Sequence, residues 1–127
     1  MIQLSLRLKF GDDRGIGPGK MRLLELIDEA GSISAAARAL GMSWTRAWSL
    51  VQEVNATFCA PLVESHPGGA AGGGAKLTPT GYDVLRRYRA IEAQALASAR
   101  ADFEAIEALL RATPAEPPAR RTSRRLR

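Results

Sequence analysis

The chain has 127 residues, of which 46% are hydrophobic and 24% charged. This size predicts one domain, because two domains would each be too small to bury a core. No stretch approaches the roughly 18 apolar residues of a membrane span, and residues 1–10 do not form a signal-peptide core, so we expect a cytoplasmic protein without membrane contact. The net charge of +5 equals the contribution of the C-terminal arginines alone: Arg120, Arg121, Arg124, Arg125 and Arg127. The overall charge is therefore weak support for nucleic-acid binding.

The residues that usually carry chemistry are scarce. One cysteine and one histidine, Cys59 and His66, exclude an intramolecular disulfide and a four-ligand zinc site. Cys59 lies among Phe58, Ala60 and Leu62, which predicts a buried packing thiol. No carboxylate pair, catalytic triad or metal-ligand spacing appears. We therefore expect no enzyme, no cofactor and no metal site.

The N-terminal residues alternate in polarity, which predicts a half-buried strand with five apolar positions: Ile2, Leu4, Leu6, Leu8 and Phe10. Residues 11–17 contain three glycines and predict a turn. Pro18 suits the first position of a helix. That helix has an apolar face formed by Met21, Leu23, Leu24, Leu26 and Ile27.

Two further helices follow, separated by a tight turn. Gly31 ends the first helix, and Ser32 or Ser34 can cap a short alanine-rich helix that ends at Leu40. After a turn at residues 41–42, Ser43 caps a third helix that runs to about residue 58. Its core-facing side is a stripe at spacings of three and four: Ala47, Leu50, Val51, Val54 and Phe58.

The remaining elements are a hairpin and a long helix. Leu62 and Val63 begin a strand, the tip lies between His66 and Lys76, and the return strand starts at Lys76. Thr78 and Pro79 then begin a helix that can extend to Arg111. Its apolar seam, interrupted by Glu92, predicts dimerisation through Leu85, Tyr88, Leu96, Ala99, Phe103, Ile106 and Leu110.

This order of elements predicts a mainly α (α+β) winged helix-turn-helix. The expected organisation is a DNA-binding domain over residues 1–111, with a dimerisation helix at 78–111 and a disordered Pro/Arg-rich tail at 112–127. The tail can add sequence-independent affinity for DNA or serve solubility. Since the seam is longer than so small a domain can cover, we expect a homodimer.

In such a fold the opening turn of the third helix enters the major groove of double-stranded DNA. The candidate contacts there, with one at the start of the second helix, are Ser34, Ser43, Trp44, Thr45, Arg46 and Ser49. Arg46 can donate two hydrogen bonds to guanine, although a solvated helix charge is the alternative. We expect Trp44 to be exposed and Trp48 to pack at the edge of the core.

The glycine-rich hairpin tip allows two interpretations. His66 and Lys76 are candidate phosphate contacts of a wing, and simple solvent exposure of both is the alternative. A nucleotide-binding loop is not supported, because the G-x-x-x-x-G-K-[ST] pattern is missing and a strand follows instead of a helix.

Three segments together resemble the DNA-binding part of ModE-type molybdate-responsive regulators, over about residues 4–110. They are Gly-Ser-Ile-Ser-Ala-Ala-Ala at 31–37, Met-Ser-Trp-Thr-Arg-Ala-Trp at 42–48, and Gly-Gly-Gly-Ala followed by Leu-Thr-Pro-Thr-Gly at 72–81. LysR-type regulators share the Ala-Ala-Ala-Arg-Ala-Leu run and the Leu-Thr-Pro-x-Gly step. The resemblance implies a transcriptional regulator that dimerises through its last helix and reads a roughly palindromic operator.

Two departures from that family matter. The family often has Tyr-Lys where this chain has Trp44 and Thr45, so one basic backbone contact is expected to be missing. The family's oxyanion sensor is a separate, later domain, so no molybdate-binding residue is assigned and we expect DNA binding without molybdate control. A protein-protein adaptor that uses the helical seam is the alternative function.

Overall fold

The computed structural model describes residues 2–69 and 72–116, except for the side chains at positions 67–69 and 72. The tail predicted at 112–127 lies outside the described residues from position 117 onward. Residues 112–116 belong to no helix or strand.

The N-terminal segment forms a smaller hairpin than its alternation predicts. Strand β1 (Leu8–Lys9) pairs antiparallel with β2 (Gly15–Ile16), with Leu8 opposite Ile16. The even positions from 2 to 8 are half-buried and the odd ones exposed, so the alternation is confirmed there, whereas Phe10 is exposed. The strand predicted over residues 2–10 is wrong in length, because β2 offers only two residues before Gly17 and Pro18, and proline has no N–H to extend the ladder.

Three helices form the body of the fold at the predicted positions: α1 (Pro18–Ala30), α2 (Ile33–Leu40) and α3 (Trp44–Thr57). Gly31 and Gly41 end the first two helices with φ values of 78° and 69°, in the left-handed region that favours glycine. The Ser32 side chain accepts a hydrogen bond from the Ala35 N–H at 3.0 Å, so Ser32 caps α2.

The core lies between these helices and the hairpin that follows. Ala36, Ala37 and Ala47 are at most 2% exposed, and their small side chains let α2 and α3 pack closely. Phe58 is half-buried and its ring meets that of Phe10 edge to face, with centroids 5.9 Å apart. Cys59 is exposed, which corrects the predicted buried thiol. The chain turns there after α3, and Phe58 and Leu62 take the inward positions around it.

The wing consists of β3 (Val63–Gly69) and β4 (Gly72–Leu77), paired antiparallel. Both strands extend into the glycine-rich stretch, so the predicted tip between His66 and Lys76 is too long. Val63, Ala75 and Leu77 are buried and attach the base of the wing to the core. The Ala75 N–H also donates to the Gly31 carbonyl at 2.8 Å, which ties β4 to the turn between α1 and α2.

The Leu-Thr-Pro-x-Gly step joins the wing to α4 (Pro79–Ser98). The Thr78 hydroxyl donates to the Pro61 carbonyl at 2.6 Å and accepts from the Gly81 N–H at 3.0 Å. A Cβ at Gly81 would lie 2.2 Å from the Leu62 carbonyl oxygen. Glycine is therefore required there by the close approach of α4 to the start of the wing.

The long helix predicted to reach Arg111 is interrupted. Ala99 has φ −106° and ψ 16°, and it separates α4 from α5 (Arg100–Ala108). The Ser98 hydroxyl donates to the Ala95 carbonyl at 3.3 Å, and such a bond competes with the helical ladder. The order of elements is otherwise the predicted one, and the mainly α winged helix-turn-helix architecture is confirmed.

Candidate nucleic-acid interface

The outward face of α3 follows from its buried stripe. Successive residues turn by about 100°, so the positions opposite Ala47 and Val54 are Thr45, Ser49 and Gln52. Thr45 and Gln52 are exposed and Ser49 is half-buried. Gln52 is absent from the residues predicted on sequence, yet its spacing from Thr45 and Ser49 places it in the same row. Reading the side opposite the core stripe would have identified it.

The opening turn of α3 holds a cap and a cation. The Ser43 side chain accepts a hydrogen bond from the Arg46 N–H at 3.0 Å, so this hydroxyl begins the helix. The guanidinium of Arg46 is exposed and has no hydrogen-bond or ion-pair partner within the described part of the chain. Arg46 lies on one flank of the outward row and shares a cleft with Lys20 and Leu50.

The other flank of α3 carries two stacked indoles. The rings of Trp44 and Trp48 lie 6.1 Å apart at an interplanar angle of 25°. They are 51% and 43% exposed, so Trp44 is exposed as predicted, whereas the prediction that Trp48 packs at the edge of the core is wrong. The neighbouring Ala47 takes the inward direction, and the Trp48 ring stacks against Trp44 instead.

A cleft of about 340 Å³ separates this aromatic pair from the wing. Three residues predicted on sequence meet in it, namely Ser34, Trp44 and His66, and Trp48 and Ser65 also line it. Gly74 lies opposite His66, and a Cβ at Gly74 would lie 2.8 Å from Nε2 of His66. The absence of a side chain at Gly74 therefore leaves room for the imidazole. The wing and the start of α2 therefore form one wall of a channel along α3.

Lys76 is not brought into that cleft. It is exposed and lies opposite Glu64, nearer the base of the wing than His66. Neither Lys76 nor His66 has a hydrogen-bond or ion-pair partner among the residues that the structure describes. Both side chains are free to meet an anion from outside the molecule.

The arginines of α4 differ from Arg46 because each has a carboxylate partner. Arg86 and Arg87 pair with Asp83 at 2.5 and 3.0 Å. Arg89 donates to the Glu25 carboxylate at 2.9 and 2.8 Å and to Glu92 at 2.7 Å. These hydrogen bonds hold the pKa of Glu25 below its ordinary value and raise that of Arg89. The Arg89–Glu25 pair fastens α4 to α1.

The predicted dimerisation seam divides into two halves. Tyr88 is 1% exposed and its hydroxyl donates to the Leu6 carbonyl at 2.5 Å, so its assignment to a dimer contact is wrong. This ring fills the space between α4 and the N-terminal segment. Leu85 is half-buried and packs against the same core. The open half contains Leu96, Ile106 and Leu110, all at least 40% exposed, with Ala99 and Phe103 half-buried. Ile91 and Leu109 are also at least 40% exposed, although the sequence does not predict them as part of the seam.

Neither a metal cluster nor a membrane span is found among the described residues. No group of three or more His, Cys, Asp or Glu side chains is placed to hold a metal ion there. None of the helices in the same part of the chain is long and apolar enough to cross a membrane.

Residues 19–82 match the model of the bacterial regulatory helix-turn-helix proteins of the lysR family. This range runs from the start of α1 through the wing to the first turn of α4. It includes all eight residues predicted to contact DNA and excludes the N-terminal hairpin.

The similar curated proteins are regulators and molybdenum proteins. The molybdenum-pterin-binding protein MopB of Rhodobacter capsulatus is 50% identical over 78 residues, 61% of this chain and 29% of MopB. The molybdenum transport protein ModE of Azotobacter vinelandii is 40% identical over 58% of this chain and 27% of its own. The DNA-binding transcriptional dual regulator ModE of Escherichia coli K12 is 36% identical over 68% of this chain and 33% of its own. The chain thus spans less than a third of MopB, and the resemblance to ModE-type regulators is confirmed for that part.

Solved structures agree on the fold. The crystal structure of a CbnR_DBD–DNA complex matches with a TM-score of 0.51 and 26% identity, covering 71% of this chain and 95% of that one. Full-length LysG of Corynebacterium glutamicum has a TM-score of 0.52 at 21% identity, covering 75% of this chain and 30% of its own. At 21% identity, the match to LysG supports only a similarity of fold.

Proposed function

Because the chain belongs to the bacterial regulatory helix-turn-helix proteins of the lysR family, we propose that it is a homodimeric transcriptional regulator that binds double-stranded DNA in a sequence-specific manner. The observation that carries this proposal is the exposed start of α3. It presents a polar row and an unpaired arginine, with a wing along one side. A helix with these properties fits the major groove, which is about 12 Å wide.

Each exposed group of α3 matches a feature of the groove. Arg46 is suited to the two acceptors of guanine, and Gln52 to the donor and acceptor of adenine. Thr45 and Ser49 lie between them and can bond to either kind of base. Ser43 is committed to its cap, so we assign it to backbone contact through the start of the helix and not through its hydroxyl.

The wall formed by α2 and the wing is assigned to the DNA backbone. Ser34, His66 and Lys76 present one hydroxyl and two basic groups that are exposed. The stacked pair of Trp44 and Trp48 lies between them and α3, where aromatic rings can pack against sugars. The similar CbnR_DBD structure is a complex with DNA, which supports the assignment.

Dimerisation is assigned to the open half of the C-terminal helices. An exposed apolar surface of this length is costly in water and is typical of a surface covered by a partner. A two-fold pair of chains would present two copies of α3 about 34 Å apart on successive major grooves. We therefore propose a DNA-binding domain over residues 1–111, with its dimer contact between 78 and 111.

The regulated genes are inferred from the relatives. The names of MopB and ModE connect those proteins to molybdenum, so we propose that this chain acts in molybdenum or oxyanion homeostasis. The chain covers 29% of MopB and 27% of the Azotobacter vinelandii ModE, and molybdate control is not part of the proposal. Addition of molybdate is expected to leave DNA affinity unchanged, and stoichiometric micromolar binding of molybdate by calorimetry would contradict this.

The decisive experiment is selection of duplexes bound by the full chain from a random pool. The expected product is an inverted repeat whose half-sites are one helical turn apart, because the dimer places two equal helices on one face of the duplex. The affinity for the selected duplex should fall steeply between about 50 and 200 mM salt. Recovery of unrelated sequences, or an affinity that salt does not change, would instead favour a protein-protein adaptor.

A further inference from the structure

The N-terminal segment places a second unpaired arginine beside α3. Arg7 and Arg46 line the same cleft of about 240 Å³, with Lys20 as a third basic residue. The remaining lining residues are glycines or apolar, and none of the described lining residues is acidic: Gly17, Gly19, Met42 and Leu50. The lining of this cleft is therefore basic, and it lies on the flank of α3 opposite the wing. Arg7 and Lys20 also line an adjoining pocket that contains Asp12 and Asp13, of which Asp12 is paired with Arg14.

Lys20 does not need a ligand from outside the molecule. Its ammonium donates to the Gly15 carbonyl at 3.0 Å and pairs with Glu53 at 3.3 Å. Arg7 and Arg46, in contrast, have no hydrogen-bond or ion-pair partner in the described ranges 2–69 and 72–116. Two guanidinium groups that share a cleft repel each other, so an anion between or beside them would be attracted to both.

Arg7 is also held in place. The Leu6 carbonyl accepts the hydrogen bond from the buried Tyr88, and Leu8 pairs with Ile16 in the small sheet. The backbone is thus fixed on both sides of Arg7. Its Nη1 atom lies 3.4 Å from the point where a Cβ at Gly17 would be, so the side chain lies against the start of α1. A cation fixed in this way loses little freedom when it binds an anion.

We propose that Arg7 binds a phosphate of the DNA strand on the flank of α3 opposite the wing. A helix in the major groove lies between two phosphate strands. Ser34, His66 and the wing lie on one side of α3, so in the proposed complex they would face only one of those strands. Arg7 supplies the contact to the other strand, while Arg46 beside it reaches the base edges. This inference rests on the proposed DNA binding, but it assigns a residue outside the range 19–82 that the family model matches.

The test compares Arg7→Ala with Arg87→Ala in the full chain. Arg87 is a matched control, since its loss also removes one positive charge and leaves Asp83 paired with Arg86. Affinity for a random-sequence duplex and for the selected duplex is measured at several KCl concentrations between about 50 and 200 mM. The slope of log K against log [salt] is negative, and each lost phosphate contact reduces its magnitude by about 0.9.

We expect Arg7→Ala to make that slope shallower and to weaken binding to both duplexes by the same factor, because a phosphate contact carries no sequence information. Arg7→Lys should keep most of the slope, and Arg87→Ala all of it. A methylphosphonate at the contacted phosphate should remove the difference between wild type and Arg7→Ala.

The outcomes separate this inference from the function on which it rests. If the wild-type chain binds no duplex, the proposed function itself fails. If the wild type binds and Arg7→Ala has the same slope as Arg87→Ala, the assignment of Arg7 is overturned. Thermal unfolding of the three variants verifies that the measured differences belong to folded protein.

Discussion

The helix-turn-helix region and the C-terminal helices leave opposite kinds of group without partners. Around α3 and the wing, Arg46 and Lys76 are unpaired within the described residues, whereas the large apolar side chains other than the tryptophan pair are buried or half-buried. Along α4 each arginine has a carboxylate partner, whereas Ile91 and Leu96 are exposed. The first surface is suited to a polyanion and the second to another apolar surface. What a region leaves unsatisfied thus indicates the chemistry of its partner.

The largest expected effect comes from disrupting the exposed apolar surface of the C-terminal helices. The double substitution Leu96→Asp with Ile106→Asp should weaken dimerisation more than about 100-fold, since burial of each such side chain contributes about 1.5–3 kcal/mol. Sedimentation equilibrium measures the dimer dissociation constant. Gln94→Asp adds a charge at an exposed polar position of α4 and serves as the control. Equal dissociation constants for the double variant and wild type would remove this face from the dimer interface.

The next effect addresses the unpaired cation of α3. Arg46→Ala should weaken binding to the selected duplex by about 1–3 kcal/mol, roughly 5- to 150-fold, and relax the preference at one base pair. Stability should change little, because the guanidinium has no hydrogen-bond or ion-pair partner among the described residues. Arg87→Ala should leave both the affinity and the preferred sequence unchanged. A uniform loss over all sequences would reassign Arg46 to the phosphates.

The smallest effect concerns the paired charges. Glu25→Gln should lower the free energy of unfolding by about 1 kcal/mol at pH 7, because Glu25 accepts charge-assisted bonds from Arg89 at a partly buried site. The folded-state pKa of Glu25 is lowered, so its stabilisation is present above the ordinary value of 4.5 and is lost as the pH falls through the folded-state value. Denaturant unfolding should show a smaller difference between variant and wild type at pH 3 than at pH 7. A difference that does not depend on pH would contradict the ion pair as its cause.

The sequence predicts the helical part of this fold closely, because its signals are local. Proline at the start of α1, glycines with positive φ at residues 31 and 41, and the serine caps of α2 and α3 each act within one turn of chain. The break at Ala99 is not visible in the apolar spacing, because hydrophobic periodicity continues through it. The length of β1 also escapes prediction, since it depends on how many residues β2 offers as partners.

The sequence identifies most residues of the candidate site, but it does not predict how they are arranged in space. Ser34, Trp44 and His66 are identified on sequence, but their meeting in one cleft depends on the bond between the wing and the turn after α1. Trp48 and Tyr88 are assigned wrongly for a related reason. Spacing along a helix shows which residues share a face, but not which neighbouring element covers that face. Arg7 lies 39 residues before Arg46 in the chain, and only the tertiary fold brings them to one cleft.

The bond from the Ala75 N–H to the Gly31 carbonyl sets the geometry with which the molecule meets its ligand. Gly31 terminates α1, so one residue both stops a helix and supports the hairpin at a fixed angle. The wing and α3 would then meet the duplex at a fixed separation. A duplex whose grooves are too wide or too narrow for that separation would have to deform on binding. Because the energy of deformation depends on sequence, it would discriminate between sequences at base pairs that no side chain touches.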